Sequence, residues 1–200
     1  MSKTVELYYD FSSPNAHFAA MQLPALVAAH GKKLLWRPFF LGGLLKSLNV
    51  HMTPGMSSPA KTVHSRLDLE RWSRKYGVPF RFPSRFPMNT VRALRTALVL
   101  EAQGFEQQRY AQTVFRAYWV DDRDISDAGL LKELLVDLGV NADEVLAATE
   151  IPEVRETLKE RTAEAERRGL FGAPAIFVGD ELFFGKDRLD FIEDALRNGT

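Results

Sequence analysis

Apolar and polar positions along the chain sort into strand-like runs near both ends and helical patterns between them. Thr4–Tyr9 has the β-branched and aromatic content of a strand. Pro14 suits the first position of a helix, where its missing N–H costs nothing, and Ser13 is the expected N-cap. Apolar residues recur at Phe18, Met21, Leu26 and Val27 until His30-Gly31 stops the helix, with a kink expected at Pro24. Leu34–Phe40 reads as a second strand. A strand, a crossover helix and a strand make a βαβ unit with parallel strands and a right-handed crossover.

The character changes after Gly42-Gly43. A loop bearing Gly, Pro and Ser is predicted to about Pro59, with a helix over Ser58–Tyr76 that Gly77 ends. The proline-rich Val78–Pro87 suits neither a helix nor a central strand. Helices are predicted over Asn89–Gln103, with Asn89 as N-cap, and over Gln107–Val120, Asp127–Leu138, Ala142–Ala148 and Pro152–Arg168. Ala175–Val178 and Glu181–Phe184, joined by Gly179-Asp180, read as a hairpin, and a last helix is expected from about Asp187 to Arg197. The order fits an α/β fold: a thioredoxin-like sheet with an inserted all-helical domain. On this reading 1–42 and 152–200 form the thioredoxin-like part and 43–151 the insertion. The N-terminus of the first helix then faces the loop before the third strand, Phe171-Gly172-Ala173-Pro174.

Composition narrows function mainly by exclusion. The 26 basic and 26 acidic residues cancel, so the basic excess usual in nucleic-acid binding is missing. The 200 residues contain no cysteine, which removes disulfides, thiolate metal ligands and a cysteine nucleophile, and with them any disulfide oxidoreductase. The four histidines show no paired metal-ligand spacing, and His17 and His64 are expected to be packed or solvated on helices. No apolar run approaches roughly 18 residues, so no membrane span is expected, and with no signal-peptide pattern visible the expected location is cytoplasmic.

Ser13 stands where a redox enzyme of similar layout would open a Cys-x-x-Cys. Free backbone N–H groups and the helix dipole favour an anion there, and the same environment lowers the pKa of a thiol. A serine hydroxyl at that point can donate to a thiolate brought from outside, or it can simply cap the helix. Pro174, after Gly172-Ala173, is a candidate for a cis bond that would present the N–H and C=O of Ala173 to an extended peptide; it can equally be a turn proline. Gly185–Arg188, at the expected start of the last helix, can hold a ligand carboxylate, with Asp187 on an ammonium, or merely cap. Together these positions suit a short peptide with a central thiol. For a second substrate, Arg81, Arg85 and Asn89 can hold a carboxylate, and Trp72, Trp119, Phe39 and Phe40 can form an aromatic wall.

Four segments carry a family resemblance: Tyr9–Pro14 (YDFSSP), Pro38–Gly43 (PFFLGG), Phe171–Pro174 (FGAP) and Leu182–Leu189 (LFFGKDRL). With them the whole chain resembles the 2-hydroxychromene-2-carboxylate isomerases and kappa-class glutathione transferases, which share the DsbA-like fold. The resemblance implies glutathione as cofactor, Ser13 facing its sulfur, and Ala173, before a cis Pro174, pairing by backbone with its cysteinyl unit. It also implies Lys186 and Asp187 at the γ-glutamyl group and Asn49 as a further contact; Lys186 departs from the Ser or Asn usual there. The implied reaction turns 2-hydroxychromene-2-carboxylate into trans-o-hydroxybenzylidenepyruvate by reversible thiolate addition, in a homodimer acting on a small aromatic substrate. A kappa-type transferase or peroxidase is the near alternative, and a non-enzymatic peptide-binding module the distant one.

Overall fold

The computed structural model describes residues 4–51 and 53–198, so Met52, within the predicted loop, lies outside it. Strands β1 (Val5–Tyr9), β2 (Leu34–Pro38), β3 (Ala175–Val178) and β4 (Glu181–Phe184) form one sheet in the order β2-β1-β3-β4. The central β1 runs parallel to β2 and antiparallel to β3, and β3 and β4 form the hairpin. Tyr8 stands opposite Ala175. Extending that register past the strand ends sets the residues after β1 against those before β3, which is how Ser13 comes to meet Ala173.

Helix α1 (Pro14–Ala29) crosses from β1 to β2, capped by Ser13 and continuous through Pro24. The middle of the chain supplies α3 (Pro59–Tyr76), α4 (Val91–Ala102), α5 (Gln107–Trp119), α6 (Ala128–Asp137) and α7 (Ala142–Ala148), and α8 (Pro152–Arg167) leads back to the sheet. Four boundaries depart from expectation, the first being that β2 ends at Pro38 rather than Phe40. Leu41–Ser47 is a helix, α2, where a loop is predicted from the glycine pair: Leu44 and Leu45 are buried at helical spacing from Leu41. A Cβ on Gly43 would lie 3.0 Å from the Phe40 ring, so this glycine serves close packing rather than a break. Helix α4 begins at Val91, because Asn89 Oδ1 accepts the Val91 N–H (3.0 Å) while Thr90 turns its hydroxyl to Asp10. The last helix, α9, begins at Leu189; Gly185, at φ +109°, keeps the chain turning after β4, so Lys186 and Asp187 precede the helix.

The helical segment and the sheet share one apolar core. Phe11, in the turn after β1, packs its ring 5.0 Å from Phe115 of α5, and Tyr9 lies 5.4 Å from Phe11. Packing joins the helices of the middle of the chain to the sheet.

Of the two helix histidines, His64 is exposed and His17 is 1% exposed. His17 Nε2 meets the Pro79 carbonyl at 2.9 Å, which requires the proton on Nε2, and Nδ1 is buried without a partner. Burial lowers its pKa to about 4, against a weaker upward pull from the Pro79 carbonyl. The unfolded chain therefore binds a proton that the native state refuses between about pH 6.5 and 4, and stability falls as pH drops through that window. The expected cost at pH 5 relative to pH 8 is about 2 kcal/mol. His17→Gln keeps a donor for Pro79 and removes the titration, so urea unfolding at the two pH values should show this loss in the parent and not in the variant.

Candidate functional site

Beyond β1, Asp10–Ser13 turn the chain into α1, and Asp10 organises the turn. It is fully buried, and its carboxylate accepts from the Ser12 N–H (2.9 Å), the Ser12 hydroxyl (3.0 Å), the Leu41 N–H (2.8 Å) and the Thr90 hydroxyl (2.8 Å). One side chain thus ties the end of β1 to the starts of α2 and α4. Burial pushes its pKa above the usual carboxylate range, while the donors pull the other way.

Ser13 is held by its own N–H, which donates to the Asp10 carbonyl (3.1 Å). Its hydroxyl oxygen accepts the Ala16 N–H (3.2 Å) and donates to the Ala173 carbonyl (2.8 Å). Ser13 is 5% exposed and Ala173 7%. The Ala173–Pro174 bond is cis, as is Phe86–Pro87. Among the described residues the backbone N–H groups of Asn15 and Ala173 have no acceptor, and Asn15 Oδ1 is buried without a partner. Unmet backbone hydrogen-bonding groups beside a cavity, such as the first-turn Asn15 N–H, are open to a ligand.

Ser13, Asn15 and Ala173 line a cavity of about 290 Å³, near the small end of the range for small-molecule pockets. Its other side is apolar: Leu41 and Leu45 of α2, Leu69 of α3, and Phe82 and Phe86 from the proline-rich segment. Lys186 and Asp68 also line it, the only cation and the only carboxylate to do so among the described residues. Lys186 is 8% exposed; its Nζ lies 3.3 Å from Asp68 Oδ2 and 5.1 Å from the centre of the Trp72 ring. The Tyr76 hydroxyl donates to the Lys186 carbonyl (2.7 Å), fastening the turn after β4 to α3.

Of the residues singled out in the sequence, Ser13, Ala173 and Lys186 meet on this cavity, with Pro174 buried next to Ala173. Asp187 does not line it and pairs with Arg188 at 2.7 Å. Asn49 is exposed at the end of α2, with φ +54°, a left-handed conformation asparagine tolerates. Arg81 and Arg85 are directed away, to Asp122 and Asp124, with side chains 65% and 69% exposed. Their neighbours Phe82 and Phe86 face the cavity instead, as successive residues of an extended segment point to opposite sides. Asn89 is occupied at the start of α4. Trp119 is fully buried, donates from Nε1 to the Phe11 carbonyl (2.8 Å) and backs Phe82 and Phe86 from behind. Phe39 lies in the core beside Tyr8, and Phe40 packs against the main core. Sequence reasoning missed Asn15, Asp68, Phe82 and Phe86. Asn15 lies inside the turn already singled out, whereas nothing local marks Asp68.

The rim carries Phe171 and Phe184, ring centres 4.4 Å apart, with Gly172 between them in the chain's path. A Cβ on Gly172 would lie 2.7 Å from Phe184 Cε2. Gly172→Ala should displace that ring, but Phe184 is 38% exposed and can swing aside, so the loss of stability should be about 1 kcal/mol or less, read as a slightly reduced melting temperature.

The match to the DSBA-like thioredoxin domain model extends over residues 4–197. The chain is 30% identical over 197 residues to a 2-hydroxychromene-2-carboxylate isomerase of Sphingobium xenophagum, covering 98% of this chain and 99% of that one. It is 25% identical to glutathione S-transferase kappa 2 of Caenorhabditis elegans, covering 97% and 92%. Among solved structures, a 2-hydroxychromene-2-carboxylate isomerase superposes with a TM-score of 0.85 at 26% identity, over 98% of this chain and 95% of that chain.

Proposed function

We infer the activity from a premise of kinship: the chain belongs to the DSBA-like thioredoxin domain family and, within it, to the 2-hydroxychromene-2-carboxylate isomerases and their kappa-class glutathione transferase relatives. It is an enzyme, a glutathione-dependent cis-trans isomerase of 2-hydroxychromene-2-carboxylate-type compounds, whose product is trans-o-hydroxybenzylidenepyruvate. The observation that carries this reading is the Ser13 hydroxyl, buried at the start of α1 and joined to Ala173, in a chain with no thiol of its own.

The residues present suit glutathione. The unmet Ala173 N–H and the orphaned Asn15 Oδ1 match a ligand rich in amide groups. Lys186 and Asp68 offer one charge of each sign for an amino-acid head group, and Asp187 and Asn49 stand outside this lining as contacts implied by kinship. When bound, glutathione supplies a thiolate that adds reversibly to a conjugated double bond, so that the bond can turn before the thiol departs. Ser13 holds negative charge on the sulfur by donating its hydrogen, assisted by the α1 dipole and the free Asn15 N–H. Ala173 holds the peptide by its backbone. Leu41, Phe82 and Phe86 seat the aromatic ring and exclude water. Arg81 and Arg85, exposed and paired with aspartates, would have to swing inward to reach a substrate carboxylate. Function as a cytoplasmic homodimer belongs to the same proposal, its subunit number open to sedimentation analysis.

The test follows 2-hydroxychromene-2-carboxylate by ultraviolet absorbance with glutathione well below substrate and free thiol titrated before and after. Many turnovers with thiol intact are expected. Loss of one thiol per turnover would instead make it a transferase, the reading that its kappa-class relatives favour.

A further inference from the structure

Ser13 has one hydroxyl hydrogen, and in this structure it is committed to the Ala173 carbonyl at 2.8 Å. The same oxygen already accepts the Ala16 N–H at 3.2 Å, so Ser13 has no second hydrogen to offer. The hydroxyl therefore stabilises a ligand thiolate only by leaving Ala173. Rotation about the Cβ–Oγ bond suffices, and the cap on Ala16 is kept throughout. That rotation strips the Ala173 carbonyl of its partner. Ala173 is 7% exposed, and no other donor reaches its oxygen among the described residues. A buried carbonyl left bare opposes the move.

From this geometry we propose a hydrogen-bond handover: Ser13 is freed to ionise a bound thiol only when the ligand itself supplies an N–H to the Ala173 carbonyl. The inference rests on the glutathione reading given above. In glutathione the required donor is the amide N–H of the cysteinyl residue, attached to the carbon that bears the CH₂–SH group. Binding and ionisation are thereby coupled through one serine hydrogen. A thiol that lacks this N–H occupies the cavity with its sulfur still protonated, so the handover selects which thiols are activated, separately from which ones bind. The only covalent change in the step is heterolysis of the ligand's S–H bond, its electron pair staying on sulfur and its proton passing to solvent water; one hydroxyl hydrogen bond moves from carbonyl to sulfur, and an amide hydrogen bond replaces it.

The test uses glutathione and its depsipeptide analogue, in which an ester oxygen replaces the cysteinyl N–H with almost no change of shape. Each is bound to saturation, established by calorimetry, and the thiolate absorbance of the bound ligand is titrated against pH. Bound glutathione should ionise about 2 pH units below the free thiol, within the range seen at helix N-termini. The bound depsipeptide keeps the α1 dipole and the Asn15 N–H but not the Ser13 hydrogen, so it should ionise about 1 unit or more above bound glutathione, and in Ser13→Ala the two ligands should no longer differ. Equal lowering for both ligands in the parent protein overturns the handover while leaving the cofactor reading intact. So does a depsipeptide that fails to bind at a hundredfold higher concentration, since the N–H would then serve affinity and not ionisation. If glutathione itself does not bind, the cofactor reading fails and the handover with it.

Discussion

Ser13→Ala is expected to lower kcat/KM by roughly 10²–10³-fold, the usual effect of removing one donor aimed at developing negative charge. The loss should fall mainly on kcat at saturating glutathione, because Ala173, Lys186 and Asp68 still hold the ligand. If the bound thiol's pKa rises by about 2 units, the corresponding energy is about 2.7 kcal/mol, enough for a hundredfold rate effect. The alanine variant also loses the cap on Ala16, at about 1 kcal/mol of stability. Ser13→Thr separates the two roles, since it retains both the hydroxyl and the cap and should recover most of the activity. Steady-state kinetics on both variants, with a thermal melt to confirm folding, provide the check. An alanine variant within about threefold of the parent would reduce Ser13 to a helix cap.

The largest effect on stability is expected at Asp10. Asp10→Ala withdraws the acceptor from four donors at once, on Ser12, Leu41 and Thr90. Each buried donor left bare costs roughly 1–3 kcal/mol, and partial access of water to Ser12 relieves some of it, so a loss of about 3–5 kcal/mol is expected. That is a large share of the stability of an ordinary domain. Asp10→Asn should cost less, because three of the four donors meet Oδ1 and only the Leu41 N–H meets Oδ2. An amide oriented to keep the first three opposes N–H to N–H at Leu41 alone. Urea unfolding should therefore rank parent, Asp10→Asn and Asp10→Ala in that order. A loss below about 1 kcal/mol in the alanine variant would show that water readily replaces the carboxylate.

The strands and most helices were legible because their signals are local. Ser13-Pro14 marks the start of α1, Gly77 the end of α3, and Gly179-Asp180 the hairpin. Errors arose where a local signal served packing. Gly43 reads as a breaker, yet it lies inside α2, where the Phe40 ring leaves no room for a side chain. Asp187 reads as the first residue of α9, but the chain is still turning there after Gly185. Arg81 and Arg85 are cations in a segment that does border the cavity. Which face of that segment turns inward was settled by Asp122 and Asp124 on one side and Trp119 on the other.

By itself, the sequence determined the order of every element but α2, the thioredoxin-like architecture, the lack of any intrinsic thiol and the choice of Ser13, Ala173 and Lys186 as candidate site residues. Caps, turn residues and composition act within a few positions or on the whole chain, so one dimension suffices to read them. Only the tertiary structure decided which atoms those residues meet. Ser13 meets Ala173 across 160 positions, and Lys186 meets Asp68 across 118. Which distant partner takes a single hydroxyl hydrogen or a buried ammonium depends on packing to a few tenths of an ångström, and no local pattern encodes that.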